Sequence, residues 1–135
     1  MNALLLVFAL AAGVPGASAD VQIIVNPSVA VSEVTAADIN QIFLVTKSAL
    51  GGTSVEPVFE ESGAAHDLFL KTYIGKSDTA LRNYFKTLVF TGRGSQPKAF
   101  ASDAEVVKYV AATKGAIGYV AASADTAGTK RVQVK

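Results

Sequence analysis

Cysteine is absent from the sequence. That excludes a disulfide framework, a thiolate metal site and a cysteine nucleophile. A single histidine argues against a histidine-rich metal site or a catalytic dyad. Charge is scarce and balanced: 17% of residues are charged, and twelve basic against eleven acidic residues leave +1. No run of one sign exceeds two residues, so nothing marks a surface for nucleic acid or anionic membrane. What is abundant is apolar, at 50% of 135 residues. That composition suits one packed domain and excludes a disordered tail.

Part of the apolar excess reads as an address. Residues 3–14 are apolar throughout apart from Gly13. Twelve residues at about 1.5 Å each fall short of a bilayer core of roughly 30 Å. Ala17-Ser18-Ala19 then fits the small-residue cleavage rule, with Asp20 opening the mature chain. No Lys or Arg precedes the run, which departs from the usual pattern. The expectation is a cleaved secretory signal over residues 1–19 and an exported domain over 20–135. No later segment is long and apolar enough to span a membrane.

From Val21 on, strand and helix patterns alternate. Val21 to Val25 is short and β-branched, and Asn26-Pro27 stops it. Thr35 can cap a helix over 36–43, with Asp38 in its first turn and Ile39, Ile42 and Phe43 as its stripe. Residues 47–54 read as a turn. A strand over 55–59 contains Pro57, which suggests an edge or a strand end. Ser62 can open a helix to about Tyr73, ended by Gly75, with Ala65, Leu68, Phe69 and Thr72 facing inward. Ser77 or Asp78 opens a helix whose stripe is Leu81, Tyr84, Phe85, Leu88 and Val89. Tyr73 and Phe90 are read as core with them. Residues 91–97 form a loop. Ser102 to Glu105 reads as a capping box for a helix to about Thr113, with Gly115 as its exit. Strands follow over 117–121 and 131–134. The expectation is one α/β domain: a small mixed sheet with about four packed helices.

Chemistry-bearing residues are few. Glu60-Glu61-Ser62-Gly63-Ala64 leads from a strand into a helix, where unpaired N–H groups and the dipole attract anions. Ser62 reads first as an N-cap and second as a hydroxyl donor to a small oxyanion. Glu60 and Glu61 add negative charge there and disfavour a dianion unless one of them accepts a proton from it. His66 lies one turn beyond Ser62; it reads as a surface or half-buried side chain rather than a base. With Glu61 or Asp67 it offers too few ligands for a metal. Gly92-Arg93-Gly94 lacks the strand and helix of a dinucleotide fingerprint, and Arg93 reads as solvated. No cofactor is implied.

Four stretches carry a family resemblance. They are Asp38-Ile39-Asn40-Gln41-Ile42-Phe43, Ser62-Gly63-Ala64 with Phe69, Phe90-Thr91-Gly92-Arg93-Gly94 with Pro97-Lys98, and Gly115-Ala116-Ile117-Gly118-Tyr119-Val120. In this order they resemble the substrate-binding proteins of phosphate ABC importers, and more closely short exported proteins carrying that binding domain. The resemblance implies one lobe of a type II periplasmic-binding-protein fold. It implies a ligand site at Glu60, Ser62, Gly63 and Ala64, where the family has a Ser-Gly-Thr helix start and an acidic acceptor. Two lobes close on phosphate in full-length members, whereas this length suits one. The sequence also departs from the pattern. The family threonine is Ala64, the arginine four residues before the serine is Val58, and a glycine soon after Ile-Phe is Val45.

The reading that follows is a periplasmic or otherwise exported module binding phosphate or another small oxyanion, and not an enzyme. An ABC permease or a protein supplying a second lobe is the partner implied. The alternative is an envelope interaction protein that uses the lobe to dock partners or to dimerise.

Overall fold

The computed structural model describes residues 21–135, so the signal assignment lies outside the described residues. In chain order the strands and helices are β1 (Val21–Val25), β2 (Glu33–Val34), α1 (Ala36–Phe43), β3 (Ala49–Leu50), β4 (Thr53–Ser54), β5 (Glu56–Glu60) and α2 (Ala64–Phe69). A wide π-type turn (Leu70–Ile74) extends α2. Then come α3 (Asp78–Phe90), β6 (Lys98–Phe100), α4 (Asp103–Ala112), β7 (Ala116–Ala121) and β8 (Lys130–Val134).

Six strands form one mixed sheet in the order β2-β8-β1-β7-β5-β6. β1 pairs antiparallel with both β7 and β8, while β5 runs parallel to β6 and β7, and β2 parallel to β8. β1 therefore opposes the other five. β3 and β4 form a separate small hairpin. The α/β class, the mixed sheet and the four helices agree with the sequence reading. The short strands β2, β3, β4 and β6 were not legible, because two or three residues carry no periodicity. Pro57 is tolerated near the start of β5, since β6 pairs only with residues 58–60.

Two apolar clusters lie on opposite faces of the sheet. Ile23, Val25, Ile39, Phe43, Phe59, Phe69, Leu81, Phe85, Ile117 and Tyr119 join beneath α1, α2 and α3. Ile24, Val58, Val106, Val110 and Val120 pack beneath α4. Alternation along β5 sends Phe59 to the first face and Val58 and Glu60 to the second. Gly118 on β7 lets α4 approach: a Cβ there would lie 2.8 Å from Val106 Cγ1. In the first cluster the Phe69 and Tyr119 rings stack at 3.8 Å, and Phe43 meets Phe69 edge-on at 4.8 Å. Aromatic pairs of this kind add about 0.5–1.5 kcal/mol each beyond their buried area.

Capping follows the sequence in part. Thr35 and Asp38 form a reciprocal capping box on α1. Ser77 caps α3 by accepting from the Ala80 N–H. Ser102 accepts from the Glu105 N–H, but Glu105 turns to the Ala101 N–H, so the box there is half made. Gly75 and Gly115 end their helices with positive φ.

Three burial expectations are corrected. The π turn shifts the register after Phe69, so Leu70 and Ile74 are buried while Thr72 is exposed. On α3, Leu81 and Phe85 are buried, Tyr84 and Leu88 are half-buried, and Val89 is 49% exposed. Phe90, expected in the core, is 91% exposed, because α3 ends beyond the edge of the cluster.

Candidate functional site

Strands β5, β6 and β7 run the same way, so their carboxyl ends lie along one edge of the sheet. β5 leads into α2 on one face and β6 leads into α4 on the other. Where successive connections diverge to opposite faces, an open α/β sheet leaves a crevice outside its strand ends. Glu60, Ser62, Gly63 and Ala64 sit at this edge, together with Ser102 and Asp103.

The helix start differs from the sequence reading in one respect. The N-cap of α2 is Gly63, not Ser62, and it has φ 109°. A side chain is strained at that angle, so glycine suits the turn. Gly63 has no side chain to bond the first-turn N–H groups, which keep their capacity for an anion. Ser62, Gly63 and Ala64 are all exposed. Asp67 in the first turn and Glu61 beside it add negative charge.

Glu60 is brought to the same edge, but its side chain belongs to the α4 face. It is 5% exposed, and Oε2 has no hydrogen-bond partner among the described residues. Burial, then a hydrogen bond with the Asp103 carboxyl, push its pKa up to about 8. At neutral pH Glu60 therefore carries a proton and removes one negative charge from the edge. Val58 is fully buried in the apolar cluster beneath α4. An arginine at that position would bury its charge there, so the family's cation cannot be restored by one substitution.

The largest departure concerns His66, expected at the surface or half-buried and found 3% exposed. Tyr119 Oη accepts from the Glu60 N–H at 2.9 Å and lies 2.6 Å from His66 Nδ1. The Asp78 carboxylate beside Nε2 can only accept, which assigns the ring proton to Nε2 and lets Nδ1 accept from the Tyr119 hydroxyl. Nε2–H donates to Asp78 Oδ1 at 3.0 Å, and Arg82 holds Asp78 Oδ2 at 2.7 Å. The His66 bond, then the Arg82 guanidinium, keep Asp78 below the usual carboxylate range. Burial drives the Tyr119 hydroxyl well above its ordinary value, so it stays a donor. The chain Glu60–Tyr119–His66–Asp78–Arg82 ties β5, β7, α2 and α3 together. Sequence spacing could not reveal it, since Tyr119 lies 53 residues from His66.

A cavity of about 240 Å³ opens beside this chain. Phe59, Leu81 and Phe85 line it with apolar surface, and His66, Asp78 and Arg82 line it with polar groups. The described residues contain no group of three or more His, Cys, Asp or Glu side chains able to hold a metal. No described helix is long and apolar enough to cross a membrane. Arg93 is exposed, as the sequence suggested.

No protein-family model matches the sequence. No curated protein matches it either. Solved structures do. A chain from Clostridium perfringens, assigned to the phosphate ABC transporter substrate-binding proteins and solved with bound phosphate, is 16% identical with a TM-score of 0.65; the match covers 85% of this chain and 44% of that one. An ABC-type phosphate transport receptor from Vibrio cholerae is 19% identical with a TM-score of 0.61, over 85% of this chain and 46% of the other. PstS from Borrelia burgdorferi is 15% identical with a TM-score of 0.61, over 86% and 47%. The chain thus spans less than half the length of the structures it matches. Its fold is a single lobe of the periplasmic-binding-protein type that these phosphate-binding proteins contain. At the level of fold, the resemblance noted in the sequence holds.

Proposed function

We propose that this protein is an exported binding module for phosphate or a similar small oxyanion, related to importer substrate-binding proteins and not an enzyme. One observation carries the reading. An uncapped helix start, Ser62-Gly63-Ala64, lies at the carboxyl edge of parallel strands in a lobe that matches a protein solved with phosphate. The N–H groups there are the donors, Ser62 Oγ adds a hydroxyl, and protonated Glu60 lowers the negative charge nearby. The exposed edge favours a singly charged oxyanion over a dianion, because Glu61 and Asp67 stay close. An ABC permease or a protein that supplies a second closing surface is the partner this role requires. Export is supported by the apolar run at 3–14 and the Ala17-Ser18-Ala19 sequence; mass spectrometry of the envelope protein should find Asp20 as the first residue.

Titration of ¹⁵N-labelled protein with phosphate at pH 7 tests the reading. The amide signals of Gly63, Ala64 and Ala65 should shift with saturation. Ser62→Ala should weaken binding by about 1–3 kcal/mol, the range for a hydrogen bond to a charged group. Shifts confined to another part of the chain would move the site, and no shift at millimolar phosphate would remove the ligand.

A further inference from the structure

Outside the sheet edge, the least explained feature is the solvent face of α3. A groove of about 680 Å³ follows this helix, with Lys76 at one end and Arg93 at the other. Ala80, Tyr84 and Leu88 recur every four residues and give it an apolar floor. Asn83, Thr87 and Thr91 repeat at the same interval and line it with hydrogen-bonding groups.

Its charge has one sign. No acidic residue lines the groove. Among the described residues neither Lys76 nor Arg93 has an ion-pair partner, whereas Arg82 on the other side of the helix is held by Asp78. Lys76 instead lies over the Tyr84 ring, 5.4 Å from its centroid. Phe90 stands at the Arg93 end, 91% exposed. An aromatic anchor beside an unpaired arginine is the composition of binding hot spots, and an exposed phenylalanine gains nothing for the fold.

We propose that this face docks an acidic segment of another protein, with carboxylates meeting Lys76 and Arg93 and an apolar side chain seated on Tyr84 and Leu88, flanked by Phe90 at the groove's edge. The geometry sets the spacing. Thirteen residues make α3 about 20 Å long at 1.5 Å per residue, and Lys76 Nζ lies over Tyr84, midway along it, so the two cations stand closer together than that length. An extended strand covers that distance in about six residues at roughly 3.3 Å each. The matching segment therefore has acidic residues fewer than six positions apart with an apolar residue between them. This proposal does not depend on oxyanion binding at the sheet edge, on another part of the molecule.

The test is selection from a display library of random twelve-residue peptides on the immobilised exported chain, followed by anisotropy titration of the enriched peptides. Enrichment of acid–apolar–acid segments with this spacing is expected. Lys76→Glu with Arg93→Glu should weaken them at least tenfold, and swapping their acids for lysine should restore binding to that variant. Phe90→Ala should weaken them by a similar factor while leaving the melting temperature and the phosphate titration unchanged. Peptides that are not acidic, or that bind the charge-reversed variant equally well, would overturn the proposal. Two further outcomes would also overturn it: binding to phosphatidylserine vesicles lost in the same variants, which makes the face a membrane contact, or a dimer in sedimentation that these variants dissociate, which makes it a self-contact.

Discussion

Tyr119→Phe isolates the buried hydrogen-bond chain at almost constant shape. The ring is fully enclosed and stacked on Phe69, so the variant keeps the packing and leaves no cavity. What is lost is one oxygen with two partners, the Glu60 N–H and His66 Nδ1. Each is left buried without a bond, at about 1–2 kcal/mol apiece, so the loss should be about 2–4 kcal/mol. For a domain of this size that lowers the melting temperature by roughly 8–16 °C. Urea unfolding followed by far-UV circular dichroism at pH 7 gives the free energy, and the slope m should not change. In a His66→Leu background one of the two orphaned groups no longer exists. The same substitution should then cost at least about 1 kcal/mol less. A loss below about 1 kcal/mol in the wild-type background would refute the reasoning, because it would mean that neither partner is unsatisfied without the hydroxyl.

Glu60 predicts a pH dependence. Its folded pKa, about 8, stands above the ordinary 4.5, so the folded state holds the extra proton between these values. The associated stability is fully present below about pH 4.5 and is lost as the pH rises through about 8. Glu60→Gln should flatten that part of the stability profile, and an unchanged slope would show that the carboxyl is not the group responsible. Phe85→Ala should cost roughly 3–5 kcal/mol in the same urea assay, since the ring is buried between Phe59 and Leu81. Val45 has φ 62°, a conformation that β-branched residues resist. Val45→Gly should therefore change stability by less than about 1 kcal/mol despite losing a packed side chain, because relief of strain offsets the lost contact. A loss above about 2 kcal/mol would show that the backbone there is not strained.

Local signals in the sequence already determined much of this protein. Hydrophobic periodicity placed α1 and α3, whose stripes each bury one face; short apolar runs placed β1 and β7, which are buried on both faces, and a cap and an exit glycine placed α4. Thr35, Ser77, Gly75 and Gly115 mark helix ends through short-range bonds and backbone freedom, which act within three or four residues. The order of the four motifs marked the fold. Tertiary structure alone decided the rest. The strands β2 and β6 exist because neighbours offer them hydrogen bonds, not because two or three residues prefer to be extended. Val89 and Leu88 fit the same helical stripe as Phe85, yet the reach of the sheet beneath α3 decides which of them is covered. Glu60 and His66 are one strand end and one helix turn apart, but strand alternation sends the Glu60 side chain to the α4 face while His66 lies on the other. Their partners, Asp103, Tyr119 and Asp78, come from distant positions in the chain. Burial and the Asp103 bond set the protonation of Glu60, and neither is encoded in local spacing.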